Sequence, residues 1–403
     1  FCGAGGMSVG FERAGFDISF AIDYDGYHAA THKRNFPYGK TICGSVSELT
    51  AEQIRKELGT DSDVDLVFGG PPCQGFSQMG LKDSGDPRNT LVFHFARVVN
   101  SLLPKAFVME NVPGLNTGET AQIFKAFLDQ VTEHYNVTLP VQVLNSADFG
   151  VPQARRRVFV LGVRKDIGTT ACYPETVSYR PNVGEAISDL PHVDDDDRLF
   201  REDVALYDKE PSRSNLYAMR ARGLSDIPND FSRHRKYDRS SVSGCMRTRH
   251  NETAKILYSA TMPGAVVPGH KLPRLDPNGM CPTLRAGATS ERGSHTAPRP
   301  VHPSLPRVIT AREAARLHGY PDWFSFYPTK VHACRQIGNS VCPPVAHAVG
   351  LEILKALGIP AEHIPRDPVC LDNEFPLPPD RPLQHARIPV SYTHLRAHET
   401  RED

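Results

Sequence analysis

The residue best placed to attack a ligand is Cys73, in the run Gly69-Gly-Pro-Pro-Cys-Gln-Gly-Phe-Ser77. It follows Val64-Asp-Leu-Val-Phe68, a short apolar segment bounded by turn signals, which predicts a strand covered on both faces. Two glycines end that strand, and Pro71 and Pro72 fix φ and supply no amide donor, so the ladder cannot continue. The thiol is then left at the carboxyl end of a sheet, where open α/β folds bind ligands. A free thiol has a pKa near 8.5 and is only about 3% thiolate at neutral pH, so a nucleophilic role requires a helix N-terminus or a nearby cation. The competing reading is a buried structural cysteine. A proton donor stands ready in Ala106-Phe-Val-Met-Glu-Asn-Val-Pro113, a second apolar strand ending in Glu110. Parallel neighbours end on the same edge, which would bring Glu110 close to Cys73. An apolar strand end raises a carboxyl pKa toward neutrality, unless the group merely caps a helix or pairs with an arginine.

Two further runs suit binding. Gly3-Ala-Gly-Gly6 precedes a helical segment but does not complete a dinucleotide fingerprint, because Ser8 stands where the third glycine belongs. Asp23, at the end of the next strand, is placed to accept hydrogen bonds from a ribose diol, and Tyr24 offers a face for adenine. Glycine loop, acid and aromatic suit an adenosine cofactor without a pyrophosphate, such as S-adenosylmethionine; an ordinary tight turn and a surface aspartate are the alternative. In Gln153-Ala-Arg-Arg-Arg157, alternation points Arg155 and Arg157 to one side, so both guanidinium groups can serve one pocket, although a basic run before a strand is more often a solvated edge. Gln336 to Pro344 reads as a turn into the last helix, with Asn339 and Ser340 facing a ligand.

The elements that must position these residues alternate over 1–165. Strands are expected at 18–23, 41–43, 64–68, 106–110, 137–144 and 158–163, and helices at 6–14, 27–35, 51–58, 90–102 and 120–133. That order predicts an α/β fold with a mostly parallel sheet covered by helices. From about 170 to 300 the pattern gives way to Pro, Arg, Ser and Gly, which predicts a second, smaller, loop-rich domain. Order returns at Thr310, which with Glu313 makes a capping box, and in a last helix over 345–357 that packs back on the first domain. The expected divisions are 1–168 completed by 331–358, then 169–330, then a proline-rich tail over 359–403 that is disordered or non-native. The strand that should lead into the glycine loop is expected to be missing at the N-terminus.

With 403 residues, 39% hydrophobic and 23% charged, the composition is that of a globular protein. No apolar run reaches membrane-spanning length. The nine cysteines are scattered without a Cys-x-x-Cys pair, which predicts reduced thiols, a cytoplasmic setting and no bound metal. Net charge is zero, yet Arg233, Arg235, Lys236, Arg239, Arg247 and Arg249 face the single acid Asp238, a density suited to phosphate contact or else to a solvated loop.

The series Phe1-Cys-Gly-Ala-Gly-Gly6, Pro71-Pro-Cys-Gln74, Glu110-Asn-Val112, Gln153-x-Arg-x-Arg157, Arg299-Pro-x-His-Pro303 with Arg307-Val-Ile-Thr-x-Arg-Glu-Ala314, and Gly338-Asn-Ser340 closely resembles the DNA (cytosine-5) methyltransferase family, over roughly residues 1–357. The resemblance implies a Rossmann-like S-adenosylmethionine-dependent sheet, a target-recognition domain over 169–330, and double-stranded DNA as the partner of a monomeric enzyme. It implies that Cys73 adds to cytosine carbon 6, Glu110 protonates ring nitrogen 3, Arg157 holds the carbonyl oxygen and Arg155 supports the thiolate. The cofactor would be held by Phe1, Gly3, Ala4, Gly5, Gly6, Asp23, Tyr24, Ser45, Val46, Pro71, Leu91, Asn339 and Ser340. DNA would be met by Gln74, Ser77, Arg88, Arg233, Arg235, Lys236, Arg247 and Arg249. The base must be flipped out of the duplex to be reached, and 75–88 is expected to form the lid over it. Ser45 stands after Gly44 where the family usually has an Asp, which predicts weaker cofactor affinity. An RNA-directed relative with a similar site, a catalytically silent DNA-binding homologue and a thiol redox enzyme are the other readings. The target sequence, and whether a cognate restriction endonuclease acts alongside, are not legible.

Overall fold

A computed structural model describes residues 1–59, 63–72, 91–116, 120–287, 298–360 and 366–371. The chain opens with helix α1 (Gly6–Ala14), strand β1 (Phe20–Asp23), α2 (Gly26–Asn35), β2 (Lys40–Cys43) and α3 (Ala51–Leu58). It continues with β3 (Leu66–Gly69), α4 (Leu91–Leu102), β4 (Ala106–Asn111) and α5 (Thr120–Val131). Then come β5 (Tyr135–Val137), β6 (Gln142–Asn145), β7 (Gln153–Ala154) and β8 (Arg156–Arg164).

The sheet is mixed where sequence alternation predicts a mostly parallel one. β1 pairs with β2 and β3 with β4 in parallel, but β8 runs antiparallel to β4 on one side and to β5 and β6 on the other. The expected single strand over 137–144 is two strands, because Pro140 has no N–H to donate and breaks the run. Strand β4 is covered on both faces. Phe107 and Met109 pack with Phe95 and Phe127 of α4 and α5, while Ala106 and Val108 belong to the larger core shared with Met7, Phe11, Val345 and Val349. Burying a side chain of Phe107's size contributes roughly 1.5–3 kcal/mol.

The 169–330 segment has little regular structure, as expected: α6 (Val183–Ile187), α7 (Leu216–Ala221), α8 (Glu252–Ala260) and two-residue strand pairings. It nevertheless shares the large core, to which Val183, Ile187, Leu275, Leu284 and Ile309 all contribute. Helix α9 (Ala311–Leu317) starts on the predicted capping box, with Thr310 Oγ1 accepting from the Glu313 amide and Glu313 accepting from the Thr310 amide. Its every residue is buried, and Arg316 makes bidentate pairs to both Asp189 and Asp322, so the charge taken out of water is fully bonded. Helix α10 (Lys330–Asn339) corrects the expected turn over 336–344: Gln336 to Asn339 are the last residues of a helix. Gly338 and Asn339, weak helix formers, disguise it. Helix α11 (Pro343–Ala356) then returns to α1, and the two approach closely enough that a Cβ on Gly10 would stand 2.4 Å from Ala346 Cβ and one on Gly350 2.6 Å from Ala14 Cβ.

Candidate active site

Glu110 stands at the carboxyl end of β4, its side chain 12% exposed, with Oε1 2.9 Å from Arg157 Nε. The pair exists because β8 runs antiparallel beside β4 with Val158 opposite Asn111, so the residue before Val158 lies at the sheet edge where β4 ends. Burial raises the Glu110 carboxyl above the usual carboxylate range, against the opposing pull of Arg157 and then Arg155. The parallel register of β3 and β4, Gly69 opposite Met109, brings the chain toward Cys73 over this acid. A Cβ on Gly70 would lie 2.8 Å from Glu110 Oε2, and the Pro71 carbonyl accepts from Asn111 Nδ2 at 3.1 Å. Cys73 itself lies outside the described residues, as do Gln74, Ser77, Arg88 and the lid expected over 75–88.

Arg155 is buried at 2% exposure, and its two terminal nitrogens donate to the Leu284 carbonyl at 3.0 Å and the Gly338 carbonyl at 2.8 Å. Those two nitrogens are committed to backbone, while the thiolate that Arg155 is expected to support lies outside the described residues. Gln153, which opens the arginine motif, and His318, which the sequence reading passes over, brace the same corner. Gln153 Nε2 donates to His318 Nδ1 at 3.0 Å and His318 Nε2 donates to the Ser340 carbonyl at 3.1 Å, while burial and the Arg155 charge keep the imidazole neutral. Nothing in the sequence marks His318 beyond its place just after the capped helix.

The glycine loop folds as its composition demands. Gly3 and Gly5 take positive φ of 56° and 113°, and Gly6 lies so close to the Val341 carbonyl that a Cβ there would be 2.3 Å away. Ala4 is buried beneath the loop, and Phe1 lies half-buried beside Gly69. Asp23 is less free than the sequence suggests: its Oδ2 accepts from the Gly3 amide at 2.9 Å and its Oδ1 from the Asp25 amide at 3.0 Å, so it shapes the loop directly. Tyr24 is exposed beside it at 55%. His32 supports the loop from below, bonded to Ser8 Oγ and Thr41 Oγ1, and burial lowers its pKa to about 3. Ser45 caps the turn holding the buried Val46, and Leu91 is half-buried at the start of α4. Asn339 is exposed, but Ser340 departs from the expected ligand contact: it is buried and its hydroxyl donates to the Ile337 carbonyl at 2.9 Å.

The basic cluster divides. Arg235 is a correction, for it is buried and pairs through both terminal nitrogens with Glu12 of α1 at 3.0 and 2.7 Å, its guanidinium 4.5 Å above the Trp323 ring. Arg233 is held by Asp17 and by the Tyr38 ring. Lys236 and Arg249 are exposed. Arg247 and Arg249 lie 4.3 and 4.7 Å from the ring centre of Phe200, and Arg247 also pairs with Asp197. All of these last residues line a cleft of about 950 Å³, together with Arg201 and Lys255.

The profile of the C-5 cytosine-specific DNA methylase family matches residues 1–355. The Type II methyltransferase M.XorII of Xanthomonas oryzae is 48% identical over 361 residues, spanning 89% of this chain and 84% of that protein. M1.HphI of Haemophilus parahaemolyticus, also a Type II methyltransferase, is 30% identical over 88% of this chain and 85% of its own length. A crystal structure described as that of a DNA modification methyltransferase encoded within an E. coli prophage superposes with a TM-score of 0.75 at 34% identity, covering 89% of this chain and 98% of that one. The Dnmt2 methyltransferase of S. pombe, at 20% identity and a TM-score of 0.54, shares the fold.

Proposed function

Because this chain belongs to the C-5 cytosine-specific DNA methylase family and is a DNA cytosine methyltransferase, we propose that it works through Cys73, Glu110 and Arg157 on a cytosine flipped out of duplex DNA. The observation that carries this reading is the buried Glu110–Arg157 pair at the sheet edge, with Gly70, three residues before position 73, packed against the Glu110 carboxylate.

Cytosine carbon 5 is too weak a nucleophile to take a methyl group unaided. Cys73 adds to carbon 6 while Glu110, whose hold on a proton burial strengthens, gives a proton to ring nitrogen 3, so negative charge does not build up and carbon 5 becomes enamine-like. Arg157 holds the cytosine carbonyl oxygen from the position it now shares with Glu110. After transfer a base removes the carbon 5 proton and Cys73 is eliminated, which restores the aromatic ring. Neither ring carbon is accessible inside a stacked duplex, so the base must be extruded at a cost of about a few kcal/mol.

S-adenosylmethionine is the donor we propose, and it supplies an electrophilic methyl group on a sulfonium sulfur. The donor set fits. The Gly3 position opens onto space with no atom within 4 Å of a Cβ built there, Asp23 fixes the loop, and the exposed Tyr24 ring stands beside it. Gly3 to Gly6 and Asp23 would hold the adenosine and methionine parts, with Phe1, Val46 and Leu91 at its margins. The 169–330 segment reads the DNA sequence, and Arg249 and Lys236 meet phosphates. The Type II names of the relatives favour a role in restriction and modification, in the cytoplasm. Among the described residues no helix is long and apolar enough to cross a membrane.

The test is expression in a host without cytosine methylation, followed by bisulfite mapping. A methylated motif that vanishes in Cys73→Ala and in Glu110→Gln is the expected result. A folded protein that leaves DNA unmodified but methylates RNA would overturn the substrate.

A further inference from the structure

The segment 281–286 lies in the part of the chain assigned above to reading DNA, yet it pairs with β7, the two residues that lead through Arg155 into β8 of the catalytic sheet. Cys281 and Pro282 pair in parallel with Gln153 and Ala154 of β7. Thr283 Oγ1 donates to the Ala154 carbonyl at 2.6 Å, and the Leu284 amide donates to Gln153 Oε1 at 3.1 Å. Arg155 closes the arrangement, one terminal nitrogen on the Leu284 carbonyl and the other on the Gly338 carbonyl. The fit against α10 is close: a Cβ on Gly338 would stand 2.4 Å from the Ala286 amide nitrogen and 2.5 Å from the Arg285 carbonyl carbon. Two residues beyond Arg155, Arg157 holds Glu110.

We infer that Arg155 is a positioning residue that makes methyl transfer conditional on how the 281–286 segment is seated, so that sequence recognition reaches Glu110 through the Arg155 clamp. The inference rests on the reading that 169–330 recognises DNA. A planar guanidinium spans two divergent carbonyls at once; a lysine ammonium keeps the charge but is a single point on a flexible stem and cannot hold both. When the correct sequence seats the segment, Arg155 fixes the start of β8 and with it the Arg157–Glu110 geometry. With an incorrect sequence the segment sits differently and the acid is misaligned.

The experiment compares single-turnover methyl transfer on the cognate duplex, identified by bisulfite mapping, and on duplexes altered at one recognised base, for wild type, Arg155→Lys and Gly338→Ala. Gly338→Ala disturbs the same contact from α10 and leaves Arg155 intact. Melting curves confirm that each variant is folded. The expected result is that both variants lose about 10²-fold on cognate DNA, the scale of loss that a misplacement of about 1 Å carries. Their rates on altered DNA hold, so discrimination shrinks in both. An equal fall on both duplexes, an unchanged ratio, or full activity in Arg155→Lys in either comparison would show Arg155 to be structural or merely electrostatic and overturn the inference. Absence of any transfer by wild type would sink the underlying functional reading as well, which separates the two failures.

Discussion

Glu110 carries the most direct prediction. Its carboxyl pKa is raised by burial, so the proton it must donate is present at low pH and lost as pH rises through that raised value. The chemical rate therefore falls on the alkaline side, while thiolate formation at Cys73 makes it rise on the acid side. Glu110→Gln should lower the single-turnover rate by about 10²–10⁴-fold and abolish the alkaline limb; a limb that survives belongs to another group. Arg157→Ala removes the pairing charge, so burial acts on Glu110 less opposed and the alkaline limb should move to higher pH as the rate drops, measured by the same pH profile. Glu110 and Arg157 were legible as residues, because an apolar strand ending in an acid and alternation along a basic run are local signals. The fate of Arg155 was not, since alternation gives the side on which a guanidinium lies and not the distant carbonyls, Leu284 and Gly338, that bind it.

At the scale of elements, two contacts between segments far apart in sequence set the stability. Arg235 anchors the basic segment on Glu12 inside α1. Arg235→Ala should cost roughly 3–5 kcal/mol by leaving a buried carboxylate unpaired, read as a lower denaturation midpoint, whereas Lys236→Ala leaves stability unchanged. The α1–α11 contact depends on glycine, and Gly350→Ala should destabilise by about 1–3 kcal/mol through overpacking, measured by urea unfolding. Periodicity found the helices with wide apolar faces and the capping box at Thr310. It missed α10, whose buried face includes Gln336 and Gly338, and it missed the direction of β8, because strand orientation depends on connections rather than on composition.

For the molecule as a whole, a net charge of zero means that attraction to DNA comes from the placement of cations and not from their sum. Those already paired inside contribute little. Arg249→Ala and Lys236→Ala should each reduce the slope of log affinity against log salt by about 1, whereas a folded Arg235→Lys variant, its charge still facing Glu12, should leave the slope unchanged. Binding titrations at several salt concentrations measure this. The order of motifs along the chain conveyed the architecture, but which acid neutralises which base depends on tertiary neighbours, as Glu12 with Arg235 and Asp197 with Arg247 show. The embrace of α1 by α11 has a further bearing on biosynthesis. Helix α1, every residue of which is covered in the finished fold, must wait for α11, far later in the chain, to emerge from the ribosome before its loop has a back wall. A polypeptide released before α11 is made should therefore lack the packing that backs its glycine loop.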